Sequence, residues 1–470
     1  MAALKKTLKF KSKSGNTYIY DDVSGHIFNI LDEDAAIKIA EYRGLCHLRN
    51  NVKLDITIGD IKFALYNLGI GFKQLLLEVT SICNFRCKYC TYSNHYKHTR
   101  AHGEKNMDFA IAKRAVDYYF ENFKIVYKRN AQKKPIISFY GGEPLINFAL
   151  IKKVVDYVKH TFPEFEVDYH ITTNGFLMDT TISDFLYNNE FYILLSLDGN
   201  KENHDRNRLT LNNDKTFNKI FTNYIQFKNK YPSAKIFISA CYDYKTDLNK
   251  MMNFFDENKI HVIQVNPVDF NTNTYYNQFS SEDILTFSNQ LSNLKKLYVN
   301  KSIQRTLEKN KFLAAFLTPT YAGLAYHNML GEQNISIKPY TGSCVPGEKM
   351  YITTTGDIKP CEKVGNPLII GNVFNGLDFV KIRDILNELN SEAVNNCYKC
   401  PISKLCTLCY KNFQNVNGAI NINRKWCKKE MADKKYMLEE YVSLLEKDPA
   451  LFEEVTTDYY KQLELGGGMF

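Results

Sequence analysis

Beyond Lys73 the chain alternates between short apolar runs and longer amphipathic stretches. LLLEVT (75–80), PIISFY (135–140), VDYHIT (167–172), YILLSL (192–197), KIFISA (235–240) and VIQVN (262–266) are six runs of strand length and composition. Between several of them the spacing changes to that of a helix. In AIAKRAVDYYF (110–120) positions 112, 115, 116, 119 and 120 fall on one face, and in LIKKVVDYV (150–158) positions 151, 154, 155 and 158 do. Strands alternating with helices in this way predict an α/β fold with a parallel sheet across residues 73–270. Six such units can form an open partial barrel. The pattern by itself is equally that of a doubly wound sheet.

The flanks read differently. LKFKS (8–12), NTYIYD (16–21) and HIFNI (26–30) are short strands, with turn residues in DDVSG (21–25). DEDAAIKIAEYRG (32–44) reads as a helix with an acidic start and a glycine after it, and DIKFALYNLG (60–69) as another. Together they predict a small α+β, winged-helix-like domain over 1–72. Residues 271–340 read as a helical bridge, clearest in SEDILTFSNQLSNLKKLYV (281–299), with Ser281 as candidate cap. A cysteine-rich domain follows over 341–432. Residues 433–470 read as a helix, DKKYMLEEYVSLLEK, and a flexible tail ending LELGGGMF.

Composition narrows this little. A chain of 470 residues exceeds one hydrophobic core, so two or three domains are expected. No apolar run is long enough to cross a bilayer, and MAALKKTLKFKSKSG lacks the apolar segment of a secretory signal, so a cytoplasmic protein away from membranes is expected. The net charge of +9 can draw in an acidic peptide or nucleic acid, or can reflect ordinary lysine-rich solvation. Cysteine changes the picture more. Without a secretory signal, twelve cysteines read as metal ligands more readily than as a disulfide framework. Ten fall within 83–90 and 344–427, while Cys46 and Cys241 stand apart and read as small buried residues.

SICNFRCKYCTY (81–92) places Cys83, Cys87 and Cys90 on one loop after the first strand. Thiolates so spaced suit zinc or an iron–sulfur cluster. Three of them leave one iron of a four-iron cubane without a protein ligand. FYGGEPL (139–145) ends the second strand. Gly141 and Gly142 permit a close approach to the backbone, and Glu143 can accept a hydrogen bond from a cationic amine. A plain strand-to-helix turn with Pro144 in the helix's first turn reads as well. TTNG (172–175) and SLDG (196–199) end the third and fourth strands, and NHDRNR (203–208) follows. Asn174 can meet a ribose hydroxyl or cap a turn. Arg208 can neutralise a carboxylate or face solvent. These motifs sit at carboxyl ends of strands, where parallel α/β folds build their sites.

The C-x3-C-x2-C spacing, Tyr89 before its last cysteine, and GGEP resemble the radical S-adenosylmethionine (SAM) enzymes. The resemblance implies a partial (β/α)6 TIM-like barrel and a [4Fe–4S] cluster on Cys83, Cys87 and Cys90. SAM would bind the open iron and be cleaved by one electron to methionine and a 5′-deoxyadenosyl radical. Gly141, Gly142 and Glu143 would hold its amino group. Asn174 and Ser196 would lie near the ribose and the methionine carboxylate, and Tyr89 and Arg208 would complete the cofactor site. A reductant such as flavodoxin or ferredoxin is implied, and no protein side chain is named as catalytic.

Cys344, the G-x4-C of Gly356 and Cys361, then Cys397, Cys400, Cys406, Cys409 and Cys427 resemble the SPASM domain. One departure is the x2 spacing between Cys406 and Cys409, where the family has x3. The resemblance implies two auxiliary clusters, three [4Fe–4S] clusters in all. Cys397, Cys400, Cys406 and Cys427 would hold the distal one, and Cys344, Cys361 and Cys409 the nearer. The nearer would have an open iron, a non-cysteine ligand such as Asp357 or Glu348, or an altered cluster type. Such enzymes act mostly on peptides and proteins, and nucleic acid is not the expected partner. Maturases of ribosomally synthesised precursor peptides, of the thioether-forming sactipeptide and ranthipeptide type, carry an N-terminal leader-recognition domain. The strands at 8–30 fit leader binding by β-augmentation, or form a cap that binds nothing. The expected reaction is an intramolecular cross-link, a thioether first. The alternatives are a carbon–carbon link, epimerisation with Cys241 as hydrogen donor, anaerobic sulfatase-type maturation, and a metal-stabilised peptide-binding scaffold.

Overall fold

The computed structural model describes residues 6–30, 35–45, 55–96, 101–129, 133–269, 274–304, 306–325, 344–365, 368–397, 399–406, 408–409, 422 and 424–451. The expected start of the first helix at 32–34, Cys46, the end of the helical bridge at 326–340 and the glycine-rich tail lie outside the described residues. The chain divides into two compact units. One comprises Met1–Asp60, Lys295–Cys344 and Arg383–Phe470, and the other Ile61–Leu294 and Val345–Ile382.

The second unit is built on a mixed α/β sheet. Strands β4 (Gln74–Thr80), β5 (Ile136–Gly141), β6 (Asp168–Thr173), β7 (Tyr192–Ser196), β8 (Ile236–Tyr242) and β9 (Val262–Pro267) coincide with the six predicted runs. They are parallel and neighbour one another in chain order. A doubly wound sheet reverses its order at a switch point. This one does not, so its winding is that of an opened barrel. The helices between the strands are α3 (Phe109–Tyr127), α4 (Phe148–Thr161), α5 (Thr180–Asn188), α6 (Lys201–Asn207), α7 (Phe217–Lys230) and α8 (Leu248–Glu257). Aspartates fix two of their starts: Asp179 Oδ1 accepts from Ile182 N at 2.8 Å and Asp247 Oδ1 from Lys250 N at 3.0 Å.

The two faces of the sheet differ in chemistry. Phe139, Tyr169 and Phe191 form one aromatic layer, with ring centroids 5.8 and 5.5 Å apart, and Phe185 of α5 adds to it. On the opposite face the register aligns Leu76, Ser138, His170 and Tyr192. There Gln74 donates to Ser138 Oγ at 2.7 Å. One apolar and one polar face explain why the strands alternate internally yet read as nearly continuous apolar runs.

The cysteine-rich segment contributes to this same sheet. β10 (Lys349–Ile352) lies parallel to β4 on its free side, and β11 (Asp357–Lys359), β12 (Gly371–Asn372) and β13 (Gly376–Leu377) follow antiparallel. The predicted hairpin at MYITTTGDIKPC is therefore present. Gly356 takes φ +88° at its turn and donates to Thr353 O at 2.9 Å.

In the first unit, β1 (Thr7–Lys11), β2 (Thr17–Asp21) and β3 (His26–Asn29) form an antiparallel sheet, followed by α1 (Ala35–Leu45) and α2 (Ile58–Lys62). The sheet's buried residues Phe10 and Tyr20 share a core with Leu324, Ile402, Leu405, Leu438 and Val442. α9 (Ser281–Ile303) begins with a reciprocal pair: Ser280 Oγ accepts from Asp283 N at 3.1 Å and Asp283 Oδ2 from Ser280 N at 2.8 Å. The cap thus falls one residue before the predicted Ser281. α10 (Lys311–Ala325) and the helices Phe379–Cys397 and Arg424–Leu445 follow. Among the described residues no helix is long and apolar enough to cross a membrane.

Phe191, 2% exposed, touches aromatic rings from β5, β6 and α5. Phe191→Ala is expected to cost about 3–5 kcal/mol of stability in denaturant unfolding, whereas Phe191→Leu should cost well under half of that.

Candidate functional site

β4 ends at Thr80 and hands the chain to the loop that carries Cys83, Cys87 and Cys90, all half-buried. The loop is held along its length. Ser81 N donates to Lys105 O at 2.8 Å, Arg86 N to Leu209 O at 2.8 Å and Lys88 N to Asn207 O at 2.9 Å. Two of the sulfurs receive a backbone N–H from the residue two positions on: Phe85 N reaches Cys83 Sγ at 3.4 Å and Tyr92 N reaches Cys90 Sγ at 3.5 Å. Such donors favour a thiolate. Burial opposes it, pushing Cys83 up to about 12 and Cys87 higher still. Deprotonation therefore requires a positive partner, which is the electrostatic condition of a metal site.

The close neighbour of both glycines in GGEP is the chain itself. A Cβ on Gly141 would lie 2.1 Å from Thr80 O, and one on Gly142 would lie 2.1 Å from Ile82 O. Gly142 N donates to Thr80 O and Glu143 N to Ile82 O, both at 2.9 Å. The end of β5 is thereby stitched to the start of the cysteine loop. Glu143 is 1% exposed. Its Oε1 accepts from Thr173 Oγ1 at 2.7 Å and Leu145 N at 3.1 Å, and its Oε2 from Asn174 N at 2.7 Å. A carboxylate accepts about four hydrogen bonds, so one acceptor direction is left. Burial still wins over these donors and lifts the carboxyl to about 7.

Asn174 does what a turn residue does and more. Its Oδ1 accepts from Phe176 N at 3.0 Å, and its Nδ2 donates to Asn84 Oδ1 at 2.8 Å, inside the cysteine loop. Ser196 closes β7 opposite Ser239.

Arg208 is 8% exposed and sits over the Tyr89 ring, 5.5 Å from its centroid. Its Nε donates to Asp198 Oδ2 at 3.0 Å, and Tyr89 OH donates to the same oxygen. Asp198 Oδ1 accepts from Cys241 N at 2.9 Å. His204, fully enclosed and held neutral at about 4 by burial, accepts from Asp198 N and meets Thr216 Oγ1, whose hydroxyl donates to Arg208 O at 2.8 Å. Arg208 thus has an internal carboxylate partner through Nε alone. The other NHDRNR residues serve the fold: Asp205 accepts from Thr216 N and Phe217 N, and Arg206 pairs with Asp243 at 2.8 Å. Cys241 lies against the cluster of Tyr89, Val268 and Tyr275 together with Cys87. Cys241 thus packs on a buried core, as expected of a small apolar residue, and that core also borders the cysteine loop through Cys87.

Thr173, Asp198 and His204 are the residues sequence reasoning left out. The first two stand inside TTNG and SLDG, and the third in NHDRNR, so the motifs carried them unread.

Among the later cysteines, Cys397 ends its helix, Cys400 N donates to Cys397 O at 3.0 Å, Cys406 is buried and Cys427 lies in the helix Arg424–Leu445. Burial first, and then the neighbouring Cys400 and Cys427, push the Cys397 thiol up to about 12; burial likewise raises Cys406, with Glu430, Cys397 and Cys400 adding to it. Backbone N–H groups of Ile402 and Leu408 serve Cys400 and Cys406, again two residues on. Cys344 is exposed, and Cys361 and Cys409 are half-buried. Glu348 already accepts from Val345 N at 2.7 Å and from Lys73 Nζ at 2.9 Å, and Asp357 from Asn372 Nδ2 at 3.0 Å. No group of three or more His, Cys, Asp or Glu among the described residues closes on a single ion.

Residues 77–239 match the model of the Radical SAM superfamily. The chain is 24% identical over 366 residues to the radical SAM cyclopropyl synthase TigE of Paramaledivibacter caminithermalis, covering 75% of this chain and 71% of TigE. It is 28% identical over 235 residues to a cysteine-type anaerobic sulfatase-maturating enzyme of Clostridium novyi, covering 48% of this chain and 59% of that enzyme. An uncharacterized protein of Methanocaldococcus jannaschii is 36% identical over 129 residues, and the match spans only 40% of its length. In fold, the chain resembles native anSMEcpe with bound AdoMet and Cp18Cys peptide, with TM-score 0.58 and 19% identity, over 82% of this chain and 99% of that one.

Two outcomes are expected. Gly142→Ala should force the cysteine loop off β5, costing about 3 kcal/mol of stability and lowering the iron bound after anaerobic reconstitution. The Glu143 carboxyl is raised from 4.5 to about 7 on folding, so the folded state holds its proton longer and the iron-free protein should lose stability as pH rises from 4.5 to 7. Denaturant unfolding across that range should show the slope in the native chain and a flatter one in Glu143→Gln.

Proposed function

We propose that this enzyme of the radical SAM superfamily modifies a peptide by abstracting hydrogen from carbon. The observation that carries the reading is local: three cysteines on a loop stitched to a glycine pair, beside a buried carboxylate and a buried guanidinium. Cys83, Cys87 and Cys90 would hold the cluster. The cluster and SAM would supply one electron and a 5′-deoxyadenosyl radical. Around them the chain's own groups suit the two ends of an amino acid. Glu143 keeps one acceptor direction for an ammonium, and Arg208 keeps its terminal nitrogens for a carboxylate. Asp198 and Tyr89 hold the guanidinium in place. Tyr89, Val268 and Tyr275 form an apolar wall that excludes water. Ser196, on the polar face of the sheet, would face the cofactor.

Cys397, Cys400, Cys406 and Cys427 would hold a distal auxiliary cluster. Cys344, Cys361 and Cys409 are assigned to the nearer one from their spacing. The peptide reading draws support from the named activities of the relatives and from the peptide bound to anSMEcpe. A precursor leader would add a strand to the sheet β1–β3, and a flavodoxin or ferredoxin would supply electrons. A thioether follows if the nearer cluster has an iron open to a substrate thiolate. A carbon–carbon bond is the second reading, favoured by the match with TigE over three quarters of the chain.

Anaerobic reconstitution should yield about twelve irons per chain, four for each of three clusters. Replacing Cys83, Cys87 and Cys90 together by alanine should remove about a third of that iron and bring 5′-deoxyadenosine formation to background. Modification of a coexpressed precursor by that triple variant would end the radical reading. Mass spectrometry of the native product separates the bonds: a thioether blocks one cysteine from alkylation, a carbon–carbon link leaves it free.

A further inference from the structure

The spacer between Cys400 and Cys406 is PISKL, residues 401–405. Its apolar members Ile402 and Leu405 are 2% and 6% exposed and enter the core that Phe10 and Tyr20 of the N-terminal sheet provide. Its polar members turn to Asp22, the residue just after β2. Ser403 Oγ donates to Asp22 Oδ2, and Lys404 N donates to Asp22 Oδ1 at 2.8 Å. Lys404 Nζ also donates to Val23 O. The Asp22 side chain is wholly enclosed, with Tyr20 OH at 3.3 Å and the Lys6 ammonium at 3.9 Å as its remaining partners.

A buried carboxylate is costly unless its acceptors are filled. Here two of the four partners come from a spacer nearly four hundred positions further along the chain. The bond that Asp22 accepts from Lys404 comes from the main-chain N–H, so it fixes the backbone course whatever the side chain at 404. Leu405 N closes a turn on Ile402 O at 3.1 Å, and Cys400 itself packs on the same core. Both cysteines that flank the spacer are therefore aimed by the N-terminal sheet.

We propose that Asp22 is a positioning residue for the auxiliary metal site of Cys397, Cys400, Cys406 and Cys427, and that the N-terminal sheet is a wall of that site whatever else it binds. This rests on the reading that those four cysteines hold a cluster. Without Asp22 the spacer would lose the acceptor for Ser403 and Lys404 N, and the two thiols would no longer be held at a fixed separation. Asp21 supplies the control. It is equally enclosed and ends β2 directly before Asp22, yet its partners are Arg43 at 2.5 Å and Ser24 N at 3.0 Å, none of them in the spacer.

The test uses the full chain reconstituted anaerobically, read by iron content and by the electron paramagnetic resonance of the reduced clusters. Cys400→Ala should remove about one cluster of iron; if it removes none, the cluster reading falls and the inference with it. Given that loss, Asp22→Ala should lose or shift the same signal while the signal lost in the Cys83/Cys87/Cys90 triple variant stays. Asp22→Asn, which can accept from Lys404 N and donate to Ser403, should restore it. Ser403→Ala should give a partial effect in a chain that folds. An unchanged spectrum in Asp22→Ala, or an equal loss in Asp21→Ala, would overturn the proposal, the second because general weakening of the sheet would then suffice.

Discussion

The site depends on a contact between two stretches of backbone. Where β5 ends, Gly141 and Gly142 lie so close to Thr80 and Ile82 that no side chain fits between them. Everything else at the carboxyl ends of the strands is referenced to that contact. It fixes where the cysteine loop departs from β4, and it brings Glu143 N onto Ile82 O. Glu143 then has nowhere to point except toward Thr173 and Asn174, whose strand is the next in the sheet. The order of the parallel strands is thus written into the order of the motifs: each turn supports the preceding one.

Charge is handled in a second layer. Asp198, Arg208, Tyr89 and His204 form an enclosed network in which one carboxylate answers a guanidinium, a phenol and the Cys241 amide, while the Asp198 amide donates to His204. Such a network is rigid because each member would be left unsatisfied if another moved. Rigidity here has a use. The guanidinium is held to Asp198 by Nε, which leaves its two terminal nitrogens outside that ion pair, and it sits over the ring of Tyr89.

Periodicity placed the six strands β4–β9 and the first two helices between them, because those signals are local. It did not decide between an opened barrel and a doubly wound sheet, which differ only in which strand lies beside which. Nor could it show that β10 extends the sheet at β4, a pairing between segments some 275 positions apart. At the site, the cysteines, glycines and Glu143 were readable because their chemistry and spacing are restrictive. Asp198 and His204 were not, since an aspartate in a turn and a histidine in a short helix carry no signal until their partners are known. Arg208 was readable as a cation and not as half of an internal pair. The glycines were found for one reason, approach by a ligand, and are required for another, approach by the chain.

The N-terminal sheet has a consequence in time. Its core is completed by Ile402, Leu405, Leu438 and Val442, which are made long after it, while the six strands β4–β9 are all made by residue 267. Contacts that span almost the whole chain are slow to form and leave apolar surface waiting meanwhile. During synthesis Phe10 and Tyr20 are therefore exposed longest of any core residues in that unit. A chain cut short before residue 402 would carry an orphaned sheet, prone to aggregation. Docking of the Pro401–Leu405 segment and of the helix Arg424–Leu445 on that sheet would then act as the closing step of the unit.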